Sequence, residues 1–327
     1  MVKIGQKILC EHCFAETGRE PCTVCGYSKA GYKCNSETLL PGNILKGRYA
    51  VGRVIGKGSY GITYLAYDMV LESRIAVKEY YLKGFSGHNL GSAVISVWEE
   101  ELETFKRGTG RFYEQACLIA KLKGNPNIVS VYDVFYENHT AYFTMEYLVG
   151  MTLKTYLEKY GALSPAQAVY VAESVSNALI DMHSLNILHW CVSPNNIMVC
   201  MDGTVRLLDF GAARQEEPET THSVLWDSKF EALDRNQGPW MDIYSLGMTL
   251  YYSLSLDIVK DACKRLFDNE EYLPDCHQIA NELWQIIRKA TALQIQNRYQ
   301  NVFELKRDLN SLNIKPKMFA KASGSIV

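Results

Sequence analysis

The chain has 327 residues, 47% apolar and 21% charged, and 34 Lys+Arg against 36 Asp+Glu give it a net charge of −2. That balance excludes a global basic field drawing in nucleic acid or an anionic membrane, and the apolar fraction excludes a largely disordered chain. No apolar run nears the ~18 residues of a membrane span, and MVKIGQKILCEHC lacks a signal peptide's apolar core and cleavage site, so the expectation is a cytoplasmic protein of roughly two domains.

Four of the ten cysteines fall within the first 25 residues: Cys10, Cys13, Cys22 and Cys25. They form two C-x-x-C knuckles eight residues apart, with Gly26 just after the second. Two such knuckles can close a tetrahedral shell of four thiolates, which is the structural kind of zinc site. Residues 1–34 therefore read as a zinc ribbon, with His12 and Cys34 as bystanders. So short a segment cannot bury a sizeable core, so the metal would supply much of its folding free energy. Glu11, Glu16 and Glu20 interrupt its basic residues, which argues against nucleic acid as its ligand. Cys117, Cys191, Cys200, Cys263 and Cys276 are scattered and read as free thiols. Residues 35–48, with Pro41, Gly42 and Gly47, read as a linker.

From Tyr49 the pattern changes to YAVGRVIGKGSYGITYLAYD, two strand-like runs around Gly56, Gly58 and Gly61. A dinucleotide fingerprint would be followed by a helix; here a second strand follows, so the glycines sit in a hairpin. Without side chains they let backbone N–H groups approach a phosphate. Ile75-Ala76-Val77-Lys78 is then a short apolar strand ending in a lysine, which needs an anionic partner.

On these residues the chain resembles the eukaryotic-type protein kinases, especially the bacterial serine/threonine branch, from about Tyr49 to Leu312. Within that resemblance, FYEQACLIAKLKGNPNIVSVYDVF (112–135) looks like the C helix and the strand after it. AYFTMEYLVG (141–150) looks like the next strand and the hinge, with Met145 as gatekeeper and Glu146–Leu148 beside adenine. Ala76 and Met198 would sandwich the adenine. Ala168, Ala172, Val175, Leu179 and Met182 recur at helical spacing, predicting an amphipathic helix over 165–185. Leu208-Asp209-Phe210-Gly211 matches the magnesium-binding motif, Trp240–Gly247 a central helix, and Asn297-Arg298-Tyr299 the arginine near the end of the fold. The implied fold class is α+β: a bilobal kinase fold with a β-rich N-lobe over 49–147 and a mainly helical C-lobe over 148–312. The ribbon precedes it and a tail, 313–327, follows.

The family's chemistry needs a phosphate-binding lysine, a C-helix glutamate that holds it, a catalytic-loop aspartate, and an asparagine and a second aspartate for magnesium. Lys78, Asn196 and Asp209 fill three of these places. The catalytic loop, however, reads His189-Trp190-Cys191-Val192-Ser193-Pro194-Asn195-Asn196, with Trp190 for the arginine and Cys191 for the catalytic aspartate. Cys191 as an activated nucleophile would need a cationic neighbour, and an inert thiol is the favoured reading. On the C helix Gln115 stands where the glutamate belongs, and Glu114 would replace it only through a register shift. The loop from Ala212 to Phe230 lacks the usual ending, and Glu231 is the candidate partner of Arg298. The structural parts are expected to persist: His189 and Phe210 stacked with Ile119, and Asp242 tied to the catalytic-loop backbone.

The resemblance thus implies a pseudokinase: it binds Mg2+ and ATP, carries structural Zn2+, and acts on an unidentified protein partner or substrate, with no nucleic acid or membrane. An active kinase with a non-standard loop, or nucleotidyl transfer from a reversed nucleotide, are the alternatives.

Overall fold

The computed structural model describes residues 2–320, except 5–6, 33–36, 59, 89–91, 210–213, 216–236, 258–261 and 277–278. The chain divides into two compact units. The first takes residues up to Lys121 with Ser130–Tyr147; the second takes Leu122–Val129 and the residues from Leu148 onward.

The first unit opens with a short hairpin, β1 (Val2–Ile4) and β2 (Lys7–Leu9), leading into the cysteine knuckles. Its main element is a six-stranded antiparallel sheet. The strands are β3 (Ile44–Leu45), β4 (Tyr49–Gly58), β5 (Gly61–Asp68) and β6 (Ser73–Tyr80), then β10 (Thr140–Glu146) and β9 (Val131–Glu137), in that spatial order. A small hairpin, β7 (Ser86–His88) and β8 (Ile95–Val97), precedes helix α1 (Leu102–Ala120). Most residues of β5 and β6 are buried, and the Tyr, Ile and Val among them suit a pleated surface covered on both faces. Phe105, Thr109, Phe112, Ala116 and Ile119 form the buried stripe of α1. Phe112 meets Phe143 of β10 at 5.1 Å and Tyr80 of β6 at 5.6 Å between ring centroids.

The segment expected to be a linker belongs, over its described part, to this sheet. Ile44–Leu45 pairs with Tyr49–Ala50, and the backbone N–H of Leu39 donates to the Tyr64 hydroxyl at 3.1 Å. The physical reason is apolar burial: Leu39 and Leu45 are only 2% and 1% exposed, and Pro41-Gly42 supplies the turn between them.

On the other face of β6 from Lys78, Glu79 is fully buried and accepts hydrogen bonds from Tyr64 (2.8 Å) and Tyr142 (2.6 Å). His88 lies 3.3 Å from the same carboxylate through Nε2 and 3.0 Å from the Ala93 carbonyl through Nδ1. The imidazole thus bridges the buried carboxylate and the Ala93 carbonyl. That pairing pins β7 to the sheet.

The second unit contains the strands β11 (Gly150–Thr152), β12 (Ile187–Leu188), β13 (Ile197–Cys200), β14 (Val205–Leu207) and β15 (Arg214–Gln215). Its described helices are α2 (Leu153–Tyr160), α3 (Pro165–Ser184), α4 (Pro239–Ser255), α5 (Ala262–Phe267), α6 (Asn281–Ala290) and α7 (Val302–Asn310). The predicted helix over 165–185 is α3. It starts at a capping box, with Ser164 and Gln167 bonding each other's backbone and Pro165 in the first turn. Helix α4 is buried almost all round, as befits a central helix. Gly247 lets it approach α6: a Cβ there would lie 2.9 Å from the Ala290 Cβ. Part of the expected tail is docked, with Phe319 buried against Tyr156 at 4.9 Å and the Lys317 N–H on the Ala166 carbonyl.

Candidate functional site

The four knuckle cysteines come together. Cys10 and Cys25 sulfurs are 3.7 Å apart, Cys13 and Cys22 sulfurs 3.8 Å, and all four lie within 4.8 Å of one another. A regular tetrahedron with metal–sulfur bonds of about 2.3 Å has edges of about 3.8 Å, so the set fits a four-thiolate metal site. The separations are far too long for disulfides. Backbone turns build the cage: Phe14 N–H bonds the Cys10 carbonyl and Gly26 N–H the Cys22 carbonyl, with Gly26 at φ +70°. Burial pushes the Cys10 and Cys13 thiols up. Burial opposes ionisation of Cys22 as well, but the backbone N–H groups of Cys25 and Val24 outweigh it and bring that thiol down to about 7. A cation would offset the cost of ionising Cys10 and Cys13.

In the first unit, β4 and β5 form the glycine hairpin, with Gly56 opposite Thr63 and Gly58 opposite Gly61. Gly61 has a steric reason: a Cβ there would meet the Glu79 carbonyl at 2.9 Å and the Lys78 side chain at 3.1 Å. Lys78 and Ala76 lie two apart on β6, opposite Phe143 and Met145 of β10, and so share the sheet face that packs against α1. Both are buried, at 9% and 3% exposure, while Met145 and Glu146 are half-buried. On α1, Gln115 is half-buried on the stripe that carries Phe112 and Ile119, whereas Glu114 is exposed. The side chain nearest the core at this point is the neutral amide.

In the second unit, Asp242 organises the catalytic loop from the first turn of α4. Fully buried, it accepts the backbone N–H of His189 (2.8 Å) and of Trp190 (2.7 Å), and Nε2–H of His183 (2.8 Å). Burial alone would raise its carboxyl, yet these donors hold it below the usual carboxylate range. His189 donates through Nε2 to the Leu208 carbonyl (3.0 Å) and accepts the Cys191 N–H at Nδ1 (3.2 Å). That is a neutral imidazole with a fixed tautomer, and burial lowers its pKa accordingly. Trp190 is held at φ +67°, a left-handed conformation unusual for so bulky a residue, and Asp209, exposed, at φ +51°, which aspartate adopts more readily.

Asn196 donates its amide to the Cys191 carbonyl (2.9 Å) and to the Cys191 sulfur (3.1 Å). The thiol thus takes up the acceptor place of a loop otherwise held in order. With its NH2 so engaged, Asn196 has its carbonyl oxygen as the end able to ligate a cation, and Asp209 offers a carboxylate. Met198 and Leu148 are half-buried in the same unit. Arg298 bonds the carbonyls of Ala292 and Leu293, and its guanidinium lies 4.9 Å over the Tyr244 ring. Its expected partner Glu231, along with Phe210, Gly211, Cys34 and most of the 212–230 loop, lies outside the described residues. Sequence reading missed His183 as a third donor to Asp242, because no spacing rule links it to a helix so far along the chain.

A sheet-rich lobe holding a glycine hairpin and a strand lysine, and a helical lobe whose loop hangs from a buried aspartate, define the protein kinase fold. Residues 49–313 match the family model for the protein kinase domain, and the chain belongs to that family. It is 30% identical over 294 residues to a probable serine/threonine-protein kinase of Clostridium perfringens, covering 85% of this chain and 40% of that protein. It is 29% identical to the serine/threonine-protein kinase PrkC of Bacillus subtilis, over 84% of this chain and 42% of the relative. Among solved structures it is similar to PpkA-294 in its apo form, with a TM-score of 0.75 and 28% identity over 84% of this chain and all of that one. The chain spans about two fifths of the length of those two curated relatives. Among the described residues no helix is long and apolar enough to cross a membrane.

Proposed function

We propose that this chain is a pseudokinase: a cytoplasmic kinase-fold protein that binds Mg-ATP, transfers phosphate poorly or not at all, and acts as a scaffold or switch for a protein partner. One observation carries the reading. The Asn196 amide donates to a sulfur at Cys191, where the family places a carboxylate. A thiol is a weak acceptor without fixed charge, and cannot orient an acceptor hydroxyl as an aspartate does. The half-buried Gln115 on α1 adds to it, since a neutral amide cannot pair the charge of Lys78.

The remaining assignments follow the family's roles. Gly56, Gly58 and Gly61 would cover the phosphates, and Lys78 would bind them. Ala76, Met145, Glu146, Leu148 and Met198 would surround adenine. Magnesium, held by Asn196 and Asp209, would neutralise phosphate charge when bound. Cys10, Cys13, Cys22 and Cys25 would hold structural zinc. The domain limits are 1–34 for the ribbon and 49–312 for the kinase domain.

The test incubates the purified chain with γ- and α-labelled ATP in parallel, with candidate protein acceptors, beside a thermal-shift titration. Stabilisation without transfer is expected. Labelled phosphate on an acceptor would establish an active kinase instead, and labelled nucleotide a nucleotidyl transferase.

A further inference from the structure

The ribbon is seated on the strand that carries the glycine hairpin. The carbonyl of His12, between Cys10 and Cys13 in the first knuckle, accepts the backbone N–H of Arg53 at 2.9 Å. That bond falls where the β4–β5 register slips, between Val51 and Val54. Next to Cys13, Phe14 is buried in one cluster with Leu9, Ala50, Leu65 and Tyr67, its ring 5.5 Å from that of Tyr67. The Arg74 guanidinium donates to the Phe14 carbonyl at 3.2 Å, and Phe14 itself is held at φ +53°. Gly52 makes the close approach possible. A Cβ there would lie 2.6 Å from the Phe14 ring and 2.8 Å from the His12 carbonyl.

We infer that the metal-held knuckle is a positioning element for the glycine hairpin, with Phe14 and the His12 carbonyl as its two points of grip. This rests on the reading of the four cysteines as a metal site. The cage fixes the Cys10–Phe14 turn, and that turn in place fixes the bulge of β4. Gly56 and Gly58 continue the same strand, so a loosened bulge reaches the hairpin directly. A segment with so little core of its own relies on the metal to keep this turn in the shape that these contacts need. The coupling must also be reciprocal. If metal tightens the strand, then a strand that cannot receive Phe14 must bind metal less well.

The experiment uses the full chain under reducing conditions, zinc-loaded and then stripped with a zinc-selective chelator, with bound metal measured in each state. Amide hydrogen exchange over 49–68 is compared with exchange in Pro165–Ser184. Metal loss is expected to strip protection from Arg53 and its β4–β5 neighbours while leaving α3 unchanged. In the reverse arm, Gly52→Ala keeps every thiol, and its zinc affinity by chelator competition is expected to fall by roughly 5-fold to 150-fold. If that variant does not fold, Phe14→Ala carries the same expectation. Equal protection in loaded and stripped chains, or unchanged zinc affinity in the variant, overturns the coupling and leaves the metal site standing. A reduced chain that holds no zinc overturns both.

Discussion

On the pseudokinase reading, Cys191 in the 189–196 loop removes chemistry without disturbing structure. The loop keeps its buried anchor, since Asp242 still receives the His189 and Trp190 amides, and Asn196 still finds an acceptor at position 191. Restoring the carboxylate should therefore not disturb the fold: Cys191→Asp would give the Asn196 amide a charged partner in place of a sulfur. A general base is typically worth ~10²–10⁴ in rate, but groups that act as a unit are non-additive. The expected result is silence from either single change and measurable phosphate transfer from Cys191→Asp with Gln115→Glu; robust transfer by the unaltered chain, abolished by Asp209→Ala, would contradict it. His189 permits a separate test. Burial holds its folded pKa below the unfolded value, so below about pH 6.5 the unfolded chain takes up a proton that the folded loop refuses. Stability should thus fall as pH drops through that value. Asp242, whose folded pKa is also depressed, keeps its contribution until about pH 4 and loses it below. Imidazole NMR should show His189 still mostly neutral and protonated at Nε2 at the pH where a free imidazole is half charged; a resonance titrating at or above 6.5 would remove the basis for the first stage. Asp242 and His189 were legible in the sequence because ordered motifs surround them. His183 was not, since its bond to Asp242 depends on how α3 and α4 pack.

Helix α1 shows where element-level reading stops. Its inward stripe was readable from Phe112 on, but the helix begins already at Leu102. Gly108 and Gly110 lower the helical signal of its first turns, each costing up to ~1 kcal/mol relative to alanine. The two glycines are not equivalent. A Cβ at 108 would fall 1.8 Å from the hydroxyl of the buried Tyr80, whereas at 110 it would meet nothing within 4 Å. Gly110→Ala should therefore stabilise the protein by about 0.5–1 kcal/mol, the propensity gain alone. Gly108→Ala should destabilise it despite the same gain, by about 1–3 kcal/mol, because Tyr80 is wedged between Phe105 and Phe112 and must be displaced. Chemical denaturation of both variants settles it, and equal behaviour would mean that Tyr80 does not set the helix position. The segment before Tyr49 was misread for a related reason. Pro41 and Gly42 are turn residues whether they serve a linker or an edge strand, and only the pairing of Ile44–Leu45 with β4 distinguishes the two.

Across the whole molecule, the family match starts at residue 49, yet Leu39 and Leu45 are buried in the first unit and Phe14 lies against β5. Paired knuckles made the clustering of the four cysteines legible; the seat of that segment on the sheet was not, because it depends on a missing Cβ at Gly52 and one ring at Phe14. The remaining question at this scale is whether a chain with Cys191 in its loop, read here as a pseudokinase, binds nucleotide. Lys78 is retained on a buried strand with Gly61 opened to admit it, and Asn196 and Asp209 are both in place in the second unit. A strand lysine below a glycine hairpin, with an asparagine and an aspartate able to hold a cation, is the set by which the family holds nucleotide phosphates and magnesium. Mg-ATP should therefore raise the thermal midpoint. At 100 times the dissociation constant the gain is about 2.7 kcal/mol if binding is confined to the folded state. Lys78→Ala should abolish the shift, and Asp209→Ala should remove its dependence on magnesium. No shift at millimolar Mg-ATP would mean that the fold has kept the family's lysine without its ligand, and the switch would then have to work through protein contacts alone.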